Sequence, residues 1–356
     1  MAYVDFHFWR TLFSRQTFNG DGASVLLELD DDQRFWRDTV REAVDKQCPP
    51  SLVRQIAEGR STPDDLWQWY RNQGWTELAD ADNVIELILV LEELGRASDP
   101  TPFLASLTQF APLAGDHYDP SQAGTAVWDG VTTRSQRDGW LLDGVARFVL
   151  DGDRADRLAV ATASGVFIVD RSAVLARRVS TFDPVLHVAD LWFDSVPVGE
   201  QDRVTADGER ALQIALTGAA ITTVGACQRI LDLTLDHLKQ RQQFGVVIGS
   251  FQALQHKAVD MYVAIERARA LAYFAALTIA EDDPRRRLLA RMAKAAAGEA
   301  QSRVVRSGMQ CFGAMGLTWE NDLQFAVKRA RAGEVLLGGA EEHRAFVAKE
   351  YGAADF

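Results

Sequence analysis

Arg241-Gln-Gln-Phe-Gly245, followed by Ile248-Gly-Ser-Phe-Gln252 and Gln255-His256, is the stretch whose reading decides the fold. Upstream of it, Ile214, Ala215, Gly218, Ile221, Val224 and Gly225 recur at spacings of three and four, and downstream Leu254, Ala258, Met261, Tyr262 and Ile265 do the same. Each set lays one apolar stripe along a helix. Two long helices, between Leu212 and Tyr273, therefore meet at Phe244-Gly245. A glycine at the junction lets the chain reverse. The arginine just before it carries a permanent charge on a planar fork suited to two-point capture of phosphate oxygens, and Phe244 offers a flat apolar face beside it. Taken alone, the same pair also describes an arginine tying down a helix end and a phenylalanine plugging a core corner.

The longer spacing from Arg241 to His256, R-x-Q-F-G-x-x-I-x-x-F-Q-x-x-Q-H, resembles the helix-turn-helix of the acyl-CoA dehydrogenase family. The resemblance implies that Arg241 and Phe244 reach the pyrophosphate and adenine portion of an FAD held mainly by a neighbouring subunit. A second segment agrees with it. Gln310-Cys-Phe-Gly-Ala-Met-Gly316, then Leu-Thr-Trp-Glu320, looks like the family's Q-x-x-G-G-x-G-Y-x-x-E loop, with Ala314 in place of a glycine and Leu317 in place of the aromatic. That likeness implies that Gln310, Gly313 and Ala314 also face the flavin across the dimer. The fold implied is mostly α with a small central β domain: an N-terminal helical domain, a middle barrel or sandwich, and a C-terminal four-helix bundle.

The chain has 356 residues and a formal net charge of -12. That length exceeds one ordinary core, and the acidic balance argues against a nucleic-acid role, which needs clustered uncompensated Lys and Arg. Arg285-Arg-Arg287 follows Glu281-Asp-Asp-Pro284 and reads as a solvated helix start. Cys48, Cys227 and Cys311 are too few and scattered for a disulfide framework and read as packing residues in a reducing compartment. No run of eighteen apolar residues and no signal-peptide pattern occur, so the expected location is the cytoplasm, away from membranes.

Along the chain, residues 1–28 are aromatic-rich and read as an extension, either an interface arm or a frayed tail, the arm being favoured because exposed aromatics need cover. Residues 29–120 read as a helical domain. One helix follows Asp30 and ends at Pro49-Pro50, a second starts near Ser61-Thr-Pro-Asp-Asp65 and stops at Gly74, and a third carries Val84, Leu87, Ile88, Leu91 and Leu94 and is closed by Gly95. Its Glu92-Glu-Leu-Gly-Arg96 is similar to the family's E-E-L-G-R and reads as an ordinary helix end. Residues 121–204 carry six short runs separated by turn residues: Thr125–Trp128, Trp140–Leu142, Arg147–Leu150, Leu158–Ala161, Val166–Val169 and Ala189–Phe193. They describe a small antiparallel barrel or sandwich. Residues 205–356 are helical again. Asp138-Gly-Trp-Leu-Leu-Asp-Gly144 and Asp153-Arg-Ala-Asp156 are further resemblances to the family's β segments.

The chemistry that the resemblance implies is α,β-desaturation of an acyl-CoA thioester, which needs a glutamate base with its pKa raised by a desolvated pocket. Alignment from Gln310 places the usual base position on Leu337, and the alternative position on the first bundle helix falls on Ala215; neither has a carboxylate. Glu334 and Glu341 flank Leu337 and read as a solvated helix face, since one helical turn is about 5 Å, too far for proton transfer. His187, His237 and His256 read as isolated polar or core residues. The family's T-E-P-x-x-G-S-D flavin loop has no counterpart between Pro112 and Gly144, and the β region is shortened.

The pattern therefore resembles the incomplete subunits of heterotetrameric actinobacterial enzymes acting on steroid side-chain CoA thioesters. It implies a chain that shares FAD with a paralogous acyl-CoA dehydrogenase subunit. A self-sufficient homo-oligomer with a displaced base and a non-catalytic scaffold of the same fold are the alternatives.

Overall fold

The computed structural model describes residues 29–79 and 83–353, and the aromatic-rich stretch 1–28 lies outside them. Helix α1 (Asp31–Gln47) starts on a capping box, in which Asp30 Oδ1 accepts the Gln33 N–H at 2.8 Å and Gln33 Oε1 accepts that of Asp30 at 3.2 Å. Pro49-Pro50 does more than end α1. Pro50 is the first residue of a further helix, α2 (Pro50–Ala57), absent from the sequence reading. Proline's fixed φ and missing N–H suit a first helical turn, so one dipeptide stops one helix and starts the next. Helix α3 (Asp64–Asn72) follows Pro63, and the chain turns at Gly74 with φ +73°.

Helix α4 (Val84–Ala97) corrects the reading of Gly95 as a stop: it runs on to Ala97 and is closed by Ser98 in a left-handed conformation. Gly95 serves a helix crossing instead. A Cβ there would lie 2.1 Å from the Thr222 carbonyl oxygen, and one at Gly225 would lie 1.9 Å from that of Glu92. The backbones of α4 and α6 (Gly208–Gln240) touch at these two glycines. A last irregular helix of the first unit, α5, joins Phe103–Ala105, a π turn at Ser106–Phe110 and Ala111–Ala114.

The β unit is a pair of four-stranded sheets. One has the order β1 (Gly124–Val127), β4 (Arg157–Thr162), β5 (Gly165–Asp170), β8 (Arg203–Val204); the other β2 (Val131–Gln136), β3 (Gly139–Leu150), β7 (Val188–Val198), β6 (Leu175–Arg178). Side chains from both sheets, among them Val127, Leu142, Leu158, Phe167, Leu191 and Phe193, fill one shared core. Three differences from the sequence reading have physical causes. Trp140–Leu142 and Arg147–Leu150 are one strand, whose pairing with β7 shifts between Ala146 and Val149; the bulge breaks the alternation and imitates a turn. Strands β2 and β6 went unread because both are sheet edges with mostly exposed polar residues, which carry little apolar alternation. The pairing of β1 with β4 is parallel, while every other ladder here is antiparallel.

The C-terminal unit is built on α6, α7 (Gln252–Ala280), α8 (Arg286–Phe312), α9 (Leu323–Val335) and α10 (Ala340–Glu350). Helix α6 is long and apolar enough to cross a membrane, but 89% of that stretch is buried inside the chain, against α4, α7, α8 and α9. Its apolar surface is spent on the core. Cys48, Cys227 and Cys311 are all buried free thiols, as packing residues should be. Of the run at 285–287, Arg286 is not a solvated residue: it pairs with Asp282 and donates to Gln213.

The three units are fastened at Arg329 of α9, which is 6% exposed. Its Nε donates to Asp183 of the β6–β7 loop at 3.0 Å and its Nη1 to the Asp99 carbonyl, just beyond α4, at 2.7 Å. Asp99 in turn accepts from Tyr70 of α3 at 3.1 Å. A buried ion pair of this kind holds because both charges are fully hydrogen-bonded.

Candidate functional site

Helix α6 ends because Arg241 leaves helical geometry (φ -72°, ψ 129°) while its N–H still bonds the His237 carbonyl at 2.9 Å. The chain then forms a miniature hairpin, β9 (Gln242–Gln243) against β10 (Val246–Val247), before α7 begins. Its two turn residues, Phe244 (φ +52°) and Gly245 (φ +78°), both have positive φ, the mark of a type I′ turn. Glycine takes this conformation freely; phenylalanine does so only under constraint. Phe244 is nevertheless 91% exposed, with its ring edge-on to that of Phe251 at a centroid distance of 6.2 Å. It plugs no core corner.

Two contacts bring the hairpin beside the Gln310 segment. Ile248 packs with Leu238 and Cys311 in a small apolar cluster, and His237 stacks on Phe312 at 4.3 Å and 14°. Helix α8 ends at Phe312, capped by Gly313 at φ +60°, and a tight 3₁₀ turn follows at Gly313–Leu317. Gln310 in the last turn of α8 and Gly313 and Ala314 on the 3₁₀ turn are exposed, as are Arg241 and Phe244 at the hairpin. Residues about seventy positions apart thus share one surface. The Arg241 guanidinium has no hydrogen bond or ion pair among the described residues, so it ties down no helix end. Burial, and then the nearby Arg241 charge, hold His237 below the usual imidazole range.

Leu337 stands in the loop between α9 and α10 with φ +58°, next to Gly338 at φ +94°. The loop is held by groups that the sequence reading missed. Lys294 Nζ, 1% exposed, donates to the Glu334 and Gly338 carbonyls at 2.9 and 2.7 Å, and His343 Nε2 lies 3.0 Å from the Leu337 carbonyl. Burial pushes Lys294 down to about 8. The available signal was one lysine inside the Ala-rich run Met292 to Gly298. Leu336 packs against Leu104, Ala105, Leu150, Leu186 and Val188 at the junction of the three units.

Glu334 is no solvated face. Its Oε1 accepts the Ala340 N–H at 3.1 Å, capping α10, and its Oε2 is buried without a partner. A helix N-terminus favours a carboxylate there, and the group is thereby committed to structure. Glu341 is exposed, as read. Ala215 is buried within α6. His187 is not isolated: its Nδ1 meets Asp153 Oδ2 at 3.0 Å, a pairing across 34 residues that spacing along the chain could not reveal. Glu92 and Glu93 are buried and paired, with Arg269 at 2.7 Å and with Arg41 and Arg96 at 2.7 and 2.6 Å, so E-E-L-G-R is structural here.

Residues 209–352 match the family model described as acyl-CoA dehydrogenase, C-terminal domain. A curated relative, acyl-CoA dehydrogenase IpdE2 of Mycobacterium tuberculosis, is 32% identical over 328 residues, covering 88% of this chain and 95% of the relative. The chain belongs to the acyl-CoA dehydrogenase family. Among solved structures it is similar to the ChsE4-ChsE5 complex from Mycobacterium tuberculosis, with a TM-score of 0.83 at 22% identity, over 92% of this chain and 99% of that one. It is also similar to a variant of the Tcur3481-Tcur3483 steroid ACAD, with a TM-score of 0.79 at 24% identity, over 91% and 99%. At such identities these likenesses establish the fold.

Proposed function

We propose that this chain is the base-less subunit of a heteromeric, flavin-dependent acyl-CoA dehydrogenase and completes the FAD site of a paralogous partner in trans. The observation that carries the reading is the pairing of an exposed Arg241, without a partner among the described residues, with an exposed Phe244, on the surface that also presents Gln310, Gly313 and Ala314. An unpaired guanidinium beside a bare aromatic face fits the phosphate and ring of a dinucleotide.

The residues present fit that half of the group and not the other. Between α5 and β1 the chain makes only a 3₁₀ turn at Gly115–His117 and a turn fixed by Asp119. Phe110 closes on β1 so tightly that a Cβ at Gly124 would meet its Cδ1 at 2.1 Å. FAD, when bound, supplies the hydride acceptor; this chain's residues would bind and orient it from the partner's side.

Both base positions are aliphatic, and Glu334, three residues before Leu337, has its Oε1 committed to capping α10. No observation favours a displaced base. The substrate class we infer is an acyl-CoA thioester, and the likeness to a steroid ACAD supports a steroid-derived acyl group. The test is co-expression with the complete paralogue. The reading expects a colourless chain alone and a flavinated mixed complex; near one FAD per chain in the isolated protein would overturn it.

A further inference from the structure

The segment that follows the Gln310 turn is fastened from an unexpected side. Residues 318–322 belong to no helix or strand, and Leu317 before them is 78% exposed. Helix α2 reaches across to hold them. Arg54 Nη1 donates to the Trp319 carbonyl at 2.8 Å, and its Nη2 donates to the Glu320 carbonyl at 3.1 Å and to Asp322 Oδ1 at 2.6 Å. One turn later, Glu58 Oε1 accepts the Trp319 indole N–H at 3.1 Å. Lys328 of α9 covers the same indole at 4.7 Å.

The near end of the turn is set by α8: the Gly313 N–H still bonds the Met309 carbonyl, and Gly316 is buried, a Cβ there lying 3.0 Å from Phe312 Cβ. The far end is set from α2. Arg54 can pin it because a guanidinium presents several donors in one rigid plane, enough to hold two successive carbonyls and a carboxylate together.

We propose that Arg54 and Glu58 are positioning residues for the flavin-facing turn: through the anchored 319–322 segment they fix how Gly313 and Ala314 meet the partner's FAD. The proposal rests on the trans-FAD reading above. It gives α2 a role in a site that it does not touch.

If the unpinned turn spends about one part in ten of its time in the competent orientation, apparent FAD affinity falls about tenfold. The test uses the co-purified complex with Arg54→Ala, Arg54→Lys and Gln310→Ala, read by equilibrium FAD dissociation, and the isolated chain read by amide hydrogen exchange over residues 313–322. The proposal expects faster exchange in Arg54→Ala, FAD affinity lowered about tenfold, and partial recovery in Arg54→Lys, which supplies donors without the planar fork. Weakened FAD binding in Gln310→Ala with unchanged binding in Arg54→Ala would overturn the positioning role and leave the trans reading standing. Unchanged binding in both, and in Arg241→Ala as well, would sink the trans reading itself. Should Arg54→Ala fail to give soluble complex, Trp319→Phe decides by the same two measurements, because it removes the indole N–H that Glu58 holds and keeps the backbone carbonyl that Arg54 holds.

Discussion

Replacing Arg241 separates a ligand-binding role from a structural one, because the structure gives opposite answers for the two. Within the chain its guanidinium has no partner among the described residues and the residue is exposed, so Arg241→Ala should change the stability of the isolated subunit by no more than about 0.5 kcal/mol. In the mixed complex, a charge-assisted fork on a pyrophosphate is worth on the order of 1.5 to 3 kcal/mol, roughly ten- to a hundredfold in FAD affinity. Arg241→Lys should restore only part of this, since an ammonium cannot make the planar two-point contact. The assay is flavin retention of the co-purified complex on dilution, alongside thermal melting of the subunit. An internal control comes from His237, which the Arg241 charge helps to depress: its imidazole pKa should rise in Arg241→Ala, and an NMR titration would register the change without any flavin. A lowered melting temperature with unaltered flavin retention would refute the reasoning and return Arg241 to structure.

Leu337→Glu or Ala215→Glu should give the isolated chain no acyl-CoA turnover, because a base without a positioned hydride acceptor completes no reaction; turnover by either variant alone would contradict this. Asp183→Ala should destabilise the chain by about 3 to 5 kcal/mol in denaturant titrations, since it strands the buried charge of Arg329. Lys294 provides a pH test. Its folded pKa, about 8, lies below the ordinary value of 10.5, so between these values the unfolded chain binds more protons and stability relative to Lys294→Met should rise with pH. The full effect is on the order of 3 kcal/mol and is absent below about pH 8; a flat difference would show that the amine is not desolvated.

Local chemistry carried far along this chain. The periodic stripes of α6 and α7, the chain reversal at Phe244-Gly245, the capping residue Asp30 and most of the inner strands were legible because each depends on spacing and residue type within a few turns. That Leu337 and Ala215 carry no carboxylate was legible for the same reason, since a leucine or alanine cannot accept a proton wherever it is placed. What failed at this level failed for want of information about neighbours. Gly95 looks like a helix stop until the backbone of Thr222 is seen against it, and Glu334 looks solvated until Ala340 and Gly298 close around it.

Only the tertiary structure decided that Arg241 has no partner among the described residues, that Phe244 is exposed, and that they lie beside the Gln310 segment. Those facts depend on which helices cross, through Ile248, Cys311 and the His237–Phe312 stack. The sequence determined by itself what each residue could do chemically. Packing determined which of them were left free to do it, because a side chain is available to a ligand only when the folded chain has given it no partner.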